Sequence, residues 1–443
     1  MLADPGPKGP KMTLLYNAIQ IICLPLAAPI LAMVCLAKEK YRGQFLQRLG
    51  EIPPLPVSKG IESKRAWIHS MSLGEFNAAR PLIQGIKKKW PGLQLILSAS
   101  TASGLAAIEK SPLSKGAIVT ALPFDFLPIV DRVIKSLRPD CFLLVETDIW
   151  PNFLWRLKRH EIPAILINGS ISEKSARRLE RLPTVANFLY GPFSHLVMQS
   201  EDDVTRLSRL DIMTHKIMSH GNLKFDYQPR EISPEEKEAL FHATGFPEGT
   251  KIIVAGSTHP GEEEEIAEAF SNIKKAIPTS RLIIAPRDIK RAQEVERIFT
   301  TRGNICTMRS NSPGPRSARD IPDVFILDTL GELGKFYSLA SVSFVGGSLV
   351  PVGGHNILEP AVFGVPVVFG PFMESFMQIA SAFLDHNAGF QVADAKGLEK
   401  IVSKLLADDK ILKGVGDSAR RLLDMNRGVV DRYLDLLSPY LSQ

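Results

Sequence analysis

The side chains best able to do chemistry stand directly after short apolar runs. Residues 66–69 lead into Ser70-Met71-Ser72-Leu73-Gly74-Glu75, and 76–89 then carries a helical apolar face. Glu75 therefore sits at a loop-to-helix junction, where a helix N-terminus favours an ionised carboxylate able to accept a proton. Gly74 lets a substrate approach closely, and Ser72 adds a hydroxyl. Acids are common in first turns for structural reasons, and position alone favours that plainer role. The run 141–145 ends in Glu146-Thr147-Asp148-Ile149-Trp150-Pro151-Asn152. Glu146 and Asp148 there would line a cleft, to orient sugar hydroxyls, bind a cation or hold an arginine; an N-cap plus a first-turn acid explains them equally well. A two-carboxylate hydrolase built on Glu75 and Glu146 is compatible with residue type, but sequence spacing does not give the distance it requires. Residues 168–178, with Ser172, Lys174 and Arg177, suit anionic groups or form a solvated basic helix. Lys224, in Gly221-Asn222-Leu223-Lys224-Phe225-Asp226, reads by position as a surface lysine that could project into a cleft.

The second half repeats the arrangement. Residues 254–265 read as strand, glycine turn and helix, with backbone N–H groups at Ser257, Thr258 and His259 suited to a phosphate. Glu262 to Glu265 read as a solvated, dipole-satisfied first turn rather than a metal site. Pro286-Arg287 ends a strand with a cation placed for a nucleotide phosphate, or for a surface ion pair. Gly331-Glu332-Leu333 starts another helix without P-loop spacing. The most informative run holds Gly346-Gly347, Gly353-Gly354, His355-Asn356 and Glu359-Pro360. It predicts a flexible loop with free N–H groups beside a carboxylate able to bind a ribose diol.

Positioning these groups takes parallel strands covered by helices, and short apolar runs alternate with helical stretches along the chain. Strands are expected at 66–69, 93–98, 141–145 and 164–167, then at 251–255, 281–285, 324–327, 341–345 and 365–369. The proline-flanked, charged stretch 228–250 separates the two series, and 310–319 reads as a surface loop. The expected organisation is an N-terminal anchor over 1–40, one Rossmann-like α/β domain over 41–230 and a second over 231–443. Facing sheets of this kind leave a cleft at the carboxyl ends of their strands. A length of 443 residues suits two domains, and 45% hydrophobic with 23% charged residues excludes a disordered chain. Cys23, Cys35, Cys141 and Cys306 form no CxxC pair, which argues against a disulfide framework or zinc site. The net charge of +6 favours anionic partners without choosing among them.

The uncharged stretch 13–37 would rise roughly 37 Å as a helix, enough to span a bilayer, with Pro25 and Pro29 leaving a kinked or re-entrant form open. No cleavage site follows it. Lys38, Lys40, Arg42 and Arg48 outnumber Lys8 and Lys11 on the other flank, so the remainder is expected in the cytoplasm with these cations on anionic headgroups. No Asp-x-Asp, Gly-x-Ser-x-Gly or HExxH motif occurs, which disfavours metal-dependent sugar transfer, serine hydrolysis and zincin chemistry.

From about Tyr41 onward, the ordered motifs at 69–75, 146–152, 172–177, 221–226, 256–263, 285–287, 331–333 and 353–360 resemble the 3-deoxy-D-manno-octulosonic acid (Kdo) transferases of lipopolysaccharide assembly. The resemblance implies an inverting glycosyltransferase of the two-domain GT-B fold, at the inner membrane with its domains on the cytoplasmic side. It implies CMP-Kdo as donor and the lipid A precursor lipid IVA as acceptor, without cofactor, metal or nucleic acid. Glu75 falls on the general base and Glu146 on a second essential carboxylate. Ser72, Gly74, Lys174, Arg177 and Lys224 fall on the acceptor side. Ser257, Thr258, His259, Pro286, Arg287, Gly331, Glu332, Leu333, Gly353, Gly354, Asn356 and Glu359 fall on the donor side. Asp148 stands where the family often has Glu, Asp288 where His is usual, and 371–376, including Ser375, lacks the common His and Asn. Two rival readings are a GT-B transferase using another nucleotide sugar and a non-catalytic, membrane-tethered nucleotide-sugar sensor.

Overall fold

Strands buried on both faces must be mainly apolar, and the runs singled out in the sequence meet that demand apart from buried His69, Ser98 and Ser343. The first sheet comprises β1 (Arg65–Ser70), β2 (Gln94–Ala99), β3 (Ile118–Ala121), β4 (Cys141–Val145), β5 (Ala164–Gly169), β6 (His195–Met198) and β7 (Ile217–Ser219). Its order is β3-β2-β1-β4-β5-β6-β7, parallel throughout. The second comprises β8 (Lys251–Thr258), β9 (Ser280–Pro286), β10 (Cys306–Met308), β11 (Val324–Ile326), β12 (Val342–Val345), β13 (Val367–Phe369) and β14 (Gly389–Gln391). Its order is β10-β11-β9-β8-β12-β13-β14, again parallel. β3, β6, β7, β10 and β14 were not expected; each has only three or four residues, too few for a periodic signal.

The computed structural model describes residues 8–37, 39–53, 64–227, 229, 231–311 and 321–442. Lys38 and residues 312–320 of the expected surface loop lie outside the described residues, as do the side chains of Lys8, Lys40 and Arg42. Two compact units result: Met1–Asp226 with Gly428–Gln443, and Tyr227–Arg427. The expected 231–443 domain is thus corrected at its end. The last helix, Val429–Leu441, buries Val429, Tyr433, Leu434, Leu437 and Leu441 in the same core as Ala79, Leu82, Ile83 and Ile86 of helix Leu73–Lys89. The approach is close enough that a Cβ on Gly85 would stand 2.9 Å from Val430. Asp226 ties the start of this helix down, accepting the Gly428 N–H at 2.8 Å and the Val430 N–H at 2.5 Å. An apolar stripe read from sequence does not say which core it enters.

The segment Lys8–Ala37 is one helix with Pro25 and Pro29 inside it. Among the described residues no helix is long and apolar enough to cross a membrane. It docks on the first unit through polar groups. The Tyr16 hydroxyl donates to Asp125 Oδ2 at 3.0 Å, Asn17 and Asn152 each donate Nδ2 to the other's Oδ1 at 2.9 and 3.0 Å, and Gln20 donates to the Asp125 carbonyl at 3.0 Å. Leu14, Leu15, Ile19 and Ile22 are exposed.

Cutting the chain after Arg427 should strip the five final-helix core side chains, each worth about 1.5–3 kcal/mol of burial, from a unit whose whole stability is on the order of 5–15 kcal/mol. Calorimetry is expected to show the first unit's transition lost and the second unit's kept; two intact transitions would contradict this packing.

Candidate active site

In each sheet the strand order reverses beside the first strand, between β1 and β4 and between β8 and β12. Open α/β sheets bind ligands beyond the carboxyl ends at such points, because loops diverge there and leave a crevice. Glu75 follows β1 and Glu146 follows β4, so the switch point brings together residues far apart in sequence. Glu75, in the first turn of Leu73–Lys89, is buried at 6% exposure and accepts a hydrogen bond from the Met71 N–H. The expected ionised state is overturned. Burial first, and the negative charges of Glu146 and Asp148 after it, outweigh the Met71 and Ser72 N–H groups and push the carboxyl up to about 8. Ser72 occupies the helix cap position without a side-chain cap bond. A Cβ at Gly74 would meet only the Ser72 hydroxyl, at 3.7 Å, so the protein leaves that approach open.

Glu146 and Asp148 both take left-handed backbone conformations, with φ of 61° and 78°, a cost of roughly 1–3 kcal/mol each for such residues. Side-chain contacts hold them there. Glu146 Oε1 accepts from Asn168 Nδ2 at 3.1 Å and lies 3.7 Å from Lys224 Nζ, so the lysine that sequence position left ambiguous joins the cluster. Asn168 is itself held by the final helix, donating its N–H to the Tyr433 hydroxyl at 2.7 Å. Asp148 Oδ2 lies 2.9 Å from His69 Nε2 and 2.5 Å from Ser100 Oγ. Burial raises its pKa, but those two hydrogen bonds win and hold it below the usual range. His69 is fully buried, which disfavours its charged form, and its Nδ1 is 2.9 Å from Ser98 Oγ. Ser98 already accepts the Trp67 indole N–H, so its own proton points to Nδ1 and leaves the His69 proton on Nε2, aimed at Asp148. Arg48 does not reach outward as expected: its guanidinium lies over Phe124 and Trp150, 4.3 and 5.7 Å from their ring centroids. Lys174 and Arg177 are exposed, and Arg177 donates to Glu173 at 2.8 Å on its own helix.

At the second switch point, Ser257 (φ 58°) and Thr258 end β8, His259 follows it, and Gly346-Gly347 follows β12. The acidic turn is only partly solvated: Glu264 is exposed as expected, but Glu262 and Glu263 are fully buried. Glu262 accepts the N–H groups of His259 (3.0 Å), Gly347 (2.6 Å), Ser348 (2.9 Å) and Leu349 (2.9 Å). Gly347 of the first glycine pair therefore serves an internal carboxylate, the Gly346 N–H donates to the Gly256 carbonyl at 2.8 Å, and neither is free for phosphate. Glu263 accepts from Thr258 Oγ1 at 3.0 Å and Arg291 at 2.9 Å. Pro286 is buried and Arg287 exposed, with the Arg287 N–H donating to the Thr258 carbonyl at 2.9 Å. A Cβ on Gly256 would collide with the Tyr337 hydroxyl at 2.0 Å, which explains that glycine.

Gly331 (φ 82°) precedes Leu333–Phe336, a helix of only four residues, so a helix-end field there is weak. Glu332 is engaged by Arg309 at 3.1 and 3.2 Å and by Thr329. Leu333 packs against Gly256. Gly353 (φ 101°) and Gly354 (φ 74°) turn against Ser375 and Met373, where a side chain would clash. Asn356 accepts from the Leu358 N–H at 3.1 Å and faces Glu359 at 3.5 Å; burial raises the Glu359 carboxyl, opposed by Asn356 and the charge of Arg287. His69, Ser100, Asn168, Glu262 and His355 were not singled out as site residues, since their roles arise from contacts across strands.

The N-terminal family described as 3-deoxy-D-manno-octulosonic-acid transferase (kdotransferase) matches residues 43–227. A 3-deoxy-D-manno-octulosonic acid transferase of Rickettsia bellii is 30% identical over 380 residues, covering 84% of this chain and 87% of its own length. One from Haemophilus influenzae is 28% identical over 431 residues, covering 97% and 98%. A solved glycosyltransferase of Rickettsia africae shares the fold, with a TM-score of 0.55 at 14% identity over 86% of this chain and 100% of that one. Fold and relatives together define a glycosyltransferase made of two parallel-sheet α/β domains. More narrowly, the chain belongs to the Kdo transferase family.

Because the folded Glu75 carboxyl titrates at about 8 against an ordinary 4.5, the folded state binds the extra proton between those values and stability falls as pH rises through that window. Glu75→Gln should match the parent near pH 5 and exceed it by an order of 4 kcal/mol above pH 8. Denaturant melts at both pH values check this; an equal difference at each would contradict it.

Proposed function

We propose that this transferase moves Kdo from CMP-Kdo to the lipid A precursor lipid IVA in lipopolysaccharide assembly, with Glu75 as general base and inversion at the anomeric carbon. The observation that carries the assignment is the Glu75 environment. A carboxylate that regains its proton near pH 8 is a far stronger base than an exposed one, and general bases work best when their pKa lies near the working pH. The acceptor oxygen attacks the anomeric carbon, its proton passes to Glu75, and CMP departs from the opposite face. Glu146, fixed by Asn168 and Lys224, orients the acceptor, with Ser72 and Gly74 beside the same opening; Lys174 and Arg177 serve its phosphates farther out. Arg287 receives the donor phosphate beside Ser257 and Thr258, while Asn356 and Glu359 take the ribose. The GT-B arrangement is part of this reading, as is transfer without a metal, which rests on the missing Asp-x-Asp pair.

Membrane attachment also belongs to the proposal. On Lys8–Ala37 the polar side chains Tyr16, Asn17 and Gln20 turn toward the protein, while Leu14, Leu15, Ile19 and Ile22 are exposed. That is the reverse of a water-facing helix and suits lipid. In this reading the chain works at the inner membrane, with both domains on the cytoplasmic side near anionic headgroups.

Purified protein given CMP-Kdo and lipid IVA should yield Kdo-bearing lipid by mass spectrometry, with kcat/KM rising as pH approaches 8. Glu75→Gln is expected to lose about 10²–10⁴-fold in rate while still binding CMP; near-normal turnover would remove Glu75 as base. Leu15→Glu with Ile22→Glu should abolish co-sedimentation with anionic vesicles, and undiminished binding would locate attachment elsewhere.

A further inference from the structure

The donor-side reading leaves His355 without a role, yet it makes an unusual contact. His259 Nε2 and His355 Nε2 are 2.9 Å apart, with ring planes 9° from parallel and centroids 5.1 Å apart. The centroid separation exceeds the nitrogen separation by about two ring radii, so the imidazoles meet end to end rather than face to face. Such a contact requires one proton between the two nitrogens: one ring donates Nε2–H and the other accepts on a bare Nε2. Both rings are then neutral, and the outer Nδ1 lone pair of the donating ring can take a further proton without breaking the bond.

The pair is built in, not incidental. The same buried Glu262 carboxylate that accepts the His259 N–H also accepts that of Gly347, tying the loop after β8 to the loop after β12. Gly347 has φ 66°, and a Cβ there would come within 3.1 Å of the His355 ring, so the imidazole fills room that only glycine leaves. Charges face the pair from three directions: Glu262 from the helix start, Arg287 from the end of β9 and Arg291 just beyond it. Burial and then Arg287 keep His355 neutral, down to about 4, with His259 adding to the effect. In His259 burial is again the leading cause of a lowered value, with Arg287 and Arg291 opposing Glu262. An anion paired with Arg287 cancels the main external charge that keeps protons off.

We propose that the His259–His355 pair is the acid of the donor half-reaction, taking up one proton when an anionic phosphoryl group pairs with Arg287 and giving it to the leaving phosphate. The acceptor oxygen forms the new bond to the anomeric carbon and its proton goes to Glu75. The bond from that carbon to the phosphate oxygen breaks, the electron pair stays on the phosphate, and the imidazolium proton neutralises it. The pair returns to its neutral N–H···N state, its proton having come from solvent on donor binding. This rests on the assignment of Arg287 to the donor phosphate.

Calorimetric titration of the full chain with CMP at about pH 7.5, in two buffers of different ionisation enthalpy, reads proton exchange on binding; free CMP is then almost wholly the dianion, since phosphate monoesters lose their second proton near pH ~6. Uptake of about one proton per CMP is expected, reduced to near zero in His355→Asn and His259→Asn. CMP binding without uptake, or uptake unchanged in both variants, would overturn the proposal and leave the donor assignment standing. Failure of CMP to bind would overturn both. Should a variant not fold, nitrogen chemical shifts of isotope-labelled histidine in the parent protein, with and without CMP, decide the same question: rings that stay neutral refute the proposal.

Discussion

A carboxylate removed from water among like charges is the constraint around which the first domain is arranged. Glu75 is pressed into the start of its helix with Glu146 and Asp148 near it, and its own backbone donors do not offset the loss of solvent. The surroundings keep the other two carboxylates from relaxing away. Asp148 is pinned by His69 and Ser100, and Glu146 by Asn168 and Lys224, both against left-handed backbone conformations. The final helix closes the chain of support, since Tyr433 holds the Asn168 backbone and the same helix packs on the one that carries Glu75.

The second domain places a glutamate at the corresponding point and treats it in the opposite way. Glu75 follows the first strand of one sheet and Glu262 the first strand of the other, each at the start of the next helix. Glu262 is saturated by four backbone donors and acts as a clamp between two loops. Glu75 lacks that saturation and is left with a proton to trade. The same local sequence logic, strand, turn and acid, thus yields a rivet in one domain and a base in the other. The number of N–H groups aimed at the carboxylate makes the difference.

Much of the fold was legible because parallel strands buried on both faces write themselves as apolar runs, as at 141–145 and 251–255. Short strands such as Ile217–Ser219 carry too little pattern, and the apolar face of Val429–Leu441 does not by itself name the core it enters. Glu75, Glu146 and Arg287 were visible as polar residues directly after strands. The electrostatic state of Glu75 was not, since it depends on burial and on carboxylates seventy residues away that only the strand order brings near. Of the glutamates at 262–265, Glu264 is exposed as expected, whereas Glu262 misled for the same reason: a first-turn acid looks solvated until the loop after β12 is seen to donate its N–H groups to it. Arg48 and Lys224 changed places, the cation expected at headgroups turning inward to aromatic rings and the surface lysine pairing with Glu146.

The central claim is most directly tested by titrating Glu75 itself. Infrared difference spectra between the parent protein and Glu75→Gln, recorded across pH, isolate the carbonyl stretch of that one protonated carboxyl. The account predicts that the band persists at neutral pH and disappears with a midpoint of about 8. A band already gone near the ordinary glutamate range, about 4 to 5, would contradict it.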